Sequence, residues 1–308
     1  MRLPDYLKRP IIDTEKTKKV RKVLKECCLN TVCESARCPN KNECYQKNTA
    51  TFLIMGNFCT RNCRFCNISC EKPLPLDKNE PKNVAKAAKE LGLNYVVITS
   101  VTRDDLPDGG AEHFVKCINE IKKNVPPSRG NRNLLISKGG ITPHPTPPPQ
   151  GGRENVPKIE ILTPDFKGDK KALDTIIKSP VDVFNHNIET VPRLYKNARP
   201  QADYQRSLDV LKYVKENSKI PIKTGLMVGL GETFEEIEQV LVDLKSIGID
   251  ILTIGQYIAP SKEHLAVNEY YSLEKFEQLK RLTEKIGIKN YQIGPLVRSS
   301  YNAFEIFR

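Results

Sequence analysis

Nine of the ten cysteines in this chain fall between residues 27 and 70, and the spacing of six of them defines two sets of three. The downstream set, Cys59, Cys63 and Cys66, has CxxxCxxC spacing and follows a predicted strand. Iron–sulfur clusters are held by cysteine thiolates, one for each iron. Three thiolates leave the fourth iron of a cube without a protein ligand. The downstream set therefore predicts a [4Fe–4S] cluster whose open iron binds a small chelating molecule.

The upstream set, Cys33, Cys38 and Cys44, has CxxxxCxxxxxC spacing and is again one ligand short of a cube. Zinc is the alternative metal, but it usually takes four ligands with paired CxxC spacing. An electron-transfer protein of the ferredoxin type would close each cluster with four cysteines. Two incomplete sets thus favour two clusters, each with one iron that no cysteine binds and that can react. The cysteines expected to bind no metal are Cys27, Cys28, Cys70 and Cys117.

Predicted strands and amphipathic helices alternate after residue 50. Strands are predicted at 51–56, 95–100, 159–163, 181–187, 222–230 and 251–258, and helices at 83–92, 111–123, 171–178, 204–217, 233–248 and 272–287. Such alternation is typical of α/β proteins with a parallel sheet. Six repeats predict a partial (β/α)6 barrel of the TIM type. Chemistry in such barrels lies at the carboxyl ends of the strands, where the downstream cysteine loop falls.

The predicted barrel, residues 51–290, is flanked by two extensions. Residues 1–50 form an N-terminal extension that carries the upstream cysteines, and residues 291–308 form a C-terminal extension. Residues 126–156 are rich in Pro and Gly and lack periodicity. Such a composition cannot bury enough apolar area to order itself. We therefore predict a mobile surface loop inserted into the barrel.

The net charge of +12 suits either an acidic partner or simply a solvated basic surface. Lysines are spread along the chain without interleaved aromatic residues, so no nucleic-acid partner is expected. Apolar runs are too short to span a bilayer, and the N-terminus lacks the apolar stretch of a signal peptide. Crowded thiols are typical of a reducing compartment. These features predict a cytoplasmic protein.

The two cysteine sets, in this order, resemble those of the lipoyl synthases of the radical S-adenosylmethionine (SAM) superfamily. Phe65, just before the last cysteine, fits the superfamily pattern. Further stretches that match the family are residues 99–111, 185–190, 199–200, 225–233 and 255–264. The resemblance implies an auxiliary cluster on the upstream cysteines. Its fourth ligand would be a serine of the RSSY motif at residues 298–301, namely Ser300, with Ser299 as the alternative.

The resemblance also implies a sulfurtransferase that uses two [4Fe–4S] clusters and SAM. The cluster on the downstream cysteines would bind SAM and generate a 5′-deoxyadenosyl radical. Sulfur from the auxiliary cluster would enter C6 and C8 of an octanoyl group on a carrier lysine. The implied partners are octanoylated lipoyl-carrier domains or the glycine cleavage H protein, a reductant such as ferredoxin or flavodoxin, and an iron–sulfur carrier. A monomer without a membrane partner is expected.

Polar residues follow the second and fourth predicted strands of the barrel. Those expected to contact the cofactor are Thr99, Ser100, Asp104, Asn185, Asn187, Glu189 and Arg193. Glu189 could hold the SAM amino group or a ribose hydroxyl, and Arg193 could reach a carboxylate. Each of these side chains could instead cap a loop. No catalytic residue is expected beyond the cluster ligands.

Three other functions are the alternatives to a lipoyl synthase. A biotin synthase-like or methylthiotransferase-like enzyme would lack the upstream cysteine set and the RSSY motif. An electron-transfer protein and a nucleic-acid binder with a zinc site are the non-enzymatic alternatives. Metal analysis separates them, because two clusters require about eight irons per chain whereas the binder requires zinc.

Overall fold

A computed structural model describes residues 2–9, 14–47, 49–125 and 156–301. The predicted mobile loop at 126–156 therefore lies, except for its last residue, outside the described residues. The strands are β1 (Asn30–Thr31), β2 (Thr51–Ile54), β3 (Phe58–Cys59), β4 (Ser69–Cys70), β5 (Tyr95–Ser100), β6 (Lys158–Leu162), β7 (Val183–Asn185), β8 (Ile222–Val228), β9 (Ile251–Gln256) and β10 (Tyr291–Gly294). The helices are α1 (Glu15–Glu26), α2 (Val32–Ser35), α3 (Lys41–Gln46), α4 (Glu80–Leu91), α5 (Ala111–Asn124), α6 (Lys170–Ile177), α7 (Tyr195–Ala198), α8 (Tyr204–Asn217), α9 (Phe234–Ile247) and α10 (Leu273–Ile286).

The main sheet has the strand order β1-β2-β5-β6-β7-β8-β9-β10. All pairs from β2 to β10 are parallel, and only β1 runs antiparallel to its neighbour. Each parallel strand is added beside the preceding one through a helical crossover, and such crossovers are right-handed. The sheet therefore curls in one direction with its helices outside. The predicted partial α/β barrel is confirmed.

The strands are apolar because both faces of the sheet are covered. Every residue of β9 is buried, as are five of the six residues of β5. Strands of parallel sheets read as continuous apolar runs for this reason.

The helices end and begin at recognisable signals. Gly92 ends α4 at a φ of 65°, and Thr233 and Glu236 form a capping box at the start of α9.

Elements of both extensions are hydrogen-bonded to the barrel sheet. Strand β1 pairs with β2, and β10 continues the parallel order beyond β9. The domain limits at residues 50 and 290 stay a prediction. Strand β10 ends at Gly294, so the RSSY motif follows the carboxyl end of a strand, as the downstream cysteines do. Across the described ranges, no helix combines the length and apolarity needed to cross a membrane.

Candidate functional site

The downstream cysteines lie in the loop between β2 and α4, at the carboxyl edge of the sheet. The Cys59 sulfur accepts the backbone N–H of Arg61 at 3.4 Å and that of Thr102 at 3.3 Å. The pKa of the Cys66 thiol is raised to about 12. Burial is the largest cause, and the neighbouring Cys63 and Cys59 thiols contribute to the increase. Such mutual effects require the three thiols to lie close together.

Arg61 ties this loop to the rim of the barrel through two carboxylates. Its guanidinium donates to both oxygens of Asp104, at 2.7 and 2.9 Å, and to Asp165 at 2.7 Å. Arg206 donates to the other oxygen of Asp165, which is fully buried. Burial opposes ionisation of Asp165, but the hydrogen bond and charge of Arg61 hold its pKa below the usual range. Asp104 thus positions the cysteine loop, and its predicted cofactor contact stays a prediction.

The upstream cysteines lie on α2, on α3 and in the turn between them. Burial, followed by the neighbouring Cys38 and Cys44 thiols, raises the pKa of Cys33 to about 12. Burial and then Cys38 raise the pKa of Cys44 to about 12 as well. Buried neutral thiols of this kind release their protons when a metal binds them. Among the described residues, no three His, Cys, Asp or Glu side chains converge as a single metal ion requires. This donor set fits a cluster, in which each thiolate has its own iron.

The C-terminal segment packs against the upstream cysteines. Asn40, between Cys38 and Cys44, donates its amide N–H to the Leu296 carbonyl at 2.6 Å. The Tyr301 hydroxyl donates to Glu43 at 2.8 Å. The RSSY motif is therefore held beside the upstream set from both of its ends.

The two serines of the motif have different surroundings. The Ser299 hydroxyl accepts the side-chain N–H of Asn187 at 2.8 Å and lies 3.0 Å from the other amide atom, Oδ1. Ser300 forms no side-chain hydrogen bond within the described part of the chain. Gly225 makes room for this arrangement, since a Cβ there would lie 2.7 Å from the Ser299 hydroxyl. Ser300 is thus the serine that is free to bind iron, and this role stays a prediction.

Glu189 and Arg199 lie beside the downstream cysteines. Glu189 accepts the Asn187 amide at 3.0 Å and has a φ of 68°, which costs a non-glycine residue about 1 kcal/mol. Burial raises the pKa of Glu189, and the nearby Arg199 counteracts this. Arg199 donates to the carbonyls of Asn187 and Ile188 at 3.1 and 3.3 Å, and its charge also reaches Cys63. Strained backbone of this kind is found mainly at functional sites.

Several buried polar atoms on the rim have no partner among the described residues. They are Ser100 Oγ, Asn185 Oδ1, His186 Nε2 and Arg199 Nε. Ser100 and Asn185 are the last residues of β5 and β7. Buried polar groups are normally paired, so an unpaired set at the carboxyl edge fits a polar ligand such as SAM. Thr99 is already engaged, because its hydroxyl donates to the Leu162 carbonyl at 2.9 Å.

Comparison with known proteins places this chain in a family. The profile of the radical SAM superfamily matches residues 53–244. The lipoyl synthase of Caldanaerobacter subterraneus subsp. tengcongensis is 49% identical, over 98% of this chain and 96% of its own length. Those of Caldicellulosiruptor saccharolyticus and Alkaliphilus metalliredigens are 48% and 46% identical, over 98% and 99% of this chain and 96% and 95% of theirs. The chain belongs to the lipoyl synthase family.

Two solved structures share the fold. Methylornithine synthase has a TM-score of 0.53 at 14% identity, covering 89% of this chain and 70% of that one. HydG, a maturase of the [FeFe]-hydrogenase, has a TM-score of 0.52 at 14% identity, covering 88% and 62%. At such identities the likeness concerns the fold alone. Family membership makes this protein a sulfur-inserting radical SAM enzyme that uses SAM and a [4Fe–4S] cluster.

A buried ion pair inside the barrel of this lipoyl synthase family member was not anticipated from the sequence. Lys223 lies 3.0 and 3.1 Å from the two carboxylate oxygens of Glu160, and both side chains are buried. Glu160 also accepts hydrogen bonds from Tyr95 at 2.7 Å and from the Asn185 amide at 3.0 Å. It thereby orients Asn185 so that the amide oxygen is left without a partner. The available signal was a charged residue that is buried within each strand, Glu160 in β6 and Lys223 in β8.

Arg193 is the predicted site residue that the structure does not bring to the others. Its side chain is 55% exposed and donates to both oxygens of Glu236, at 2.7 and 2.9 Å. The predicted carboxylate contact needs a free guanidinium, so this geometry argues against it. Arg199, which the sequence indicates only as part of the family match at residues 199–200, lies near Cys63 instead.

His186 should make the stability of the enzyme depend on pH. Burial and then Arg199 lower the pKa of its side chain to about 4, from an unfolded value of 6.5. The unfolded chain therefore binds more protons between these values, so the free energy of unfolding should fall as the pH drops from 6.5 towards 4. Each pKa unit corresponds to about 1.4 kcal/mol. Urea unfolding at pH 7 and pH 5 should show a smaller loss for His186→Asn than for the wild type, and equal losses would contradict this account.

Proposed function

We propose that the enzyme inserts sulfur at C6 and C8 of an octanoyl group amide-linked to a lysine of a carrier protein. The observation that carries the proposal is the packing of the RSSY motif against the upstream cysteines. It joins residues more than 250 positions apart, through Asn40 and Leu296 and through Glu43 and Tyr301. A serine without a side-chain partner among the described residues, together with three cysteine thiols, matches the four ligands that a cube requires.

We assign each set of ligands to one [4Fe–4S] cluster. Cys59, Cys63 and Cys66 would hold the cluster that binds SAM, and Cys33, Cys38, Cys44 and Ser300 would hold the auxiliary cluster. When bound, these groups supply the radical from SAM and the sulfur that is inserted. Ser100, Asn185, Asn187, Glu189 and Arg199 are the residues proposed to bind SAM.

Contacts between the two cysteine loops support a shared cavity. Asn67, just after Cys66, donates its amide N–H at 2.7 Å to the backbone carbonyl of Ser35, which lies between Cys33 and Cys38. Asn187 touches both Glu189 and Ser299 and so links the proposed SAM site to the RSSY motif. The chain thus holds the two sets as neighbours, as a reaction between their contents requires.

The chemical character of Ser300 suits a cluster that gives up sulfur. An alkoxide oxygen is a harder ligand than a thiolate and leaves a soft iron site more readily. Asn40, Glu43 and Ser299 hold the motif through other bonds, so loss of the Ser300 ligand would not release the segment. The residues of this region would therefore keep their places while the auxiliary cluster is rebuilt.

The proposed partners are those that membership of the lipoyl synthase family implies, and the charge of the chain is compatible with them. A net charge of +12 suits an acidic carrier, such as a lipoyl-carrier domain or the glycine cleavage H protein. Ferredoxin or flavodoxin is the proposed reductant, and an iron–sulfur carrier would rebuild the auxiliary cluster. All ten cysteines are free, which suits the cytoplasm.

Anaerobic reconstitution tests the proposal. The loaded enzyme should hold about eight irons per chain, and with SAM, dithionite and an octanoyl-lysine peptide it should release 5′-deoxyadenosine and a product carrying two sulfurs. A reaction without SAM is the control. Release of 5′-deoxyadenosine without a thiolated product would leave only the superfamily assignment. Zinc bound at Cys33, Cys38 and Cys44 would overturn the proposal.

A further inference from the structure

The turn that leads from β2 into the downstream cysteine loop has a strained backbone. Met55 follows the strand with a φ of 68°, and Gly56 continues with a φ of 94°. Glycine adopts this region freely, but a residue with a side chain does so at a cost. Met55 is also 3% exposed, so its backbone groups need partners within the protein.

A buried carboxylate satisfies one of these groups. Glu80, in the first turn of α4, accepts the Met55 N–H at 2.8 Å through Oε2. The same oxygen lies 2.6 Å from Nε2 of His113, in the first turn of α5. Both side chains are at least nine-tenths buried. Glu80 lies at the N-terminus of α4, where the helix dipole favours a carboxylate. The contact with His113 holds this carboxylate in place.

The opposite side of the turn is held as well. Arg103 reaches the Met55 carbonyl at 3.4 Å, while its other guanidinium nitrogens donate to Asp105. The preceding residue, Thr102, donates its N–H to the Cys59 sulfur. Gly110 gives the Met55 side chain its space, because a Cβ there would lie 2.3 Å from the Met55 sulfur. Three segments of the barrel rim thus converge on one turn, four residues before Cys59.

We propose that Glu80, supported by His113, is a positioning residue for the SAM-binding cluster. Its carboxylate holds the Met55–Gly56 turn in its left-handed conformation and thereby sets the position of Cys59. In the part of the chain that the structure describes, neither side chain is hydrogen-bonded to Cys59, Cys63 or Cys66, so the effect passes through the backbone of residues 55–59. The inference rests on the proposed function only in taking Cys59 as a cluster ligand.

The accessibility of Cys59 in the metal-free enzyme is the first readout. Tryptic cleavage separates Cys59, on the peptide 48–61, from Cys44, on the peptide 42–47. Glu80→Ala should raise the rate of Cys59 alkylation by about tenfold, which corresponds to about 1.4 kcal/mol. The rate at Cys44 should not change. Glu80→Gln keeps an acceptor oxygen and should restore most of the protection.

The reconstituted enzyme supplies the second readout. The EPR spectrum of its reduced cluster should respond less to SAM in Glu80→Ala than in the wild type. In Glu80→Ala, the ratio of 5′-deoxyadenosine released to lipoyl product formed should be higher than in the wild type, because a displaced cluster holds SAM less accurately. Glu90→Ala is the matched control, since Glu90 lies on the exposed face of the same helix. It should behave as the wild type in both assays.

Unchanged Cys59 alkylation in folded Glu80→Ala would overturn the proposal, whatever the activity. Should this variant fail to fold, His113→Asn decides in the same assay. A raised rate of Cys59 alkylation in His113→Asn would support the proposal, and a wild-type rate would overturn it. The alkylation assay needs no cluster and no substrate. If the wild-type enzyme failed to insert sulfur while Glu80→Ala still altered Cys59 reactivity, the result would count against the proposed function and not against the positioning role.

Discussion

Cys44→Ala is expected to abolish sulfur insertion while SAM cleavage continues. Cys44 belongs to the upstream set. Burial and then the Cys38 thiol raise its pKa, and the adjacent Glu43 accepts a hydrogen bond from Tyr301 of the RSSY motif. Loss of one of three thiolates should prevent assembly of the auxiliary cluster, so the iron content should fall from about eight to about four per chain. Reconstituted protein should still release 5′-deoxyadenosine with dithionite and SAM.

Two further variants separate this effect from general damage. Cys63→Ala should lose both SAM cleavage and sulfur insertion, because it removes a ligand of the other cluster. Cys70→Ala should retain both, since Cys70 is an exposed thiol outside both sets. The assignment would be wrong if Cys44→Ala still formed a product with two sulfurs, or if its SAM cleavage failed as completely as that of Cys63→Ala.

Gly255→Ala is expected to remove the auxiliary cluster without touching any of its ligands. Gly255 lies in β9, and a Cβ there would lie 2.1 Å from the backbone carbonyl oxygen of Val297. Backbone cannot swing aside as the tip of a side chain can, so the segment that carries Ser300 must move. Overpacking of this kind costs about 1–3 kcal/mol. Iron analysis should give about four irons per chain, with 5′-deoxyadenosine release retained.

Gly294→Ala is the matched control for this variant. Gly294 is the register partner of Gly255 on β10, and a Cβ there would make an ordinary contact of 3.6 Å with the Val297 side chain. Neither glycine has a positive φ, so both substitutions carry the same backbone effect. Equal iron contents in the two variants would show that the close packing of Gly255 against residues 297–298 does not determine cluster binding.

The sequence by itself determined the fold and the chemical type of the site. Strand and helix patterns are local, and a run such as residues 95–100 can be buried on both faces only within a covered parallel sheet. Cysteine spacing is also local, because three thiols on a short loop reach one cluster whatever the rest of the chain does. The two cysteine sets, and the position of one of them after the first barrel strand, could therefore be read directly from the chain.

Only the tertiary structure decided which polar residues on the rim are free. The side chains of Asp104, Arg193 and Ser299 are already hydrogen-bonded. Their partners are Arg61, Glu236 and Asn187, which lie from 43 to 112 residues away in the sequence. Partners so distant are brought together by strand order and register, which no local pattern encodes. The same holds for the buried carboxylate of Glu80, which is unremarkable in the sequence and acquires its partners only when α4, α5 and the end of β2 meet at one edge.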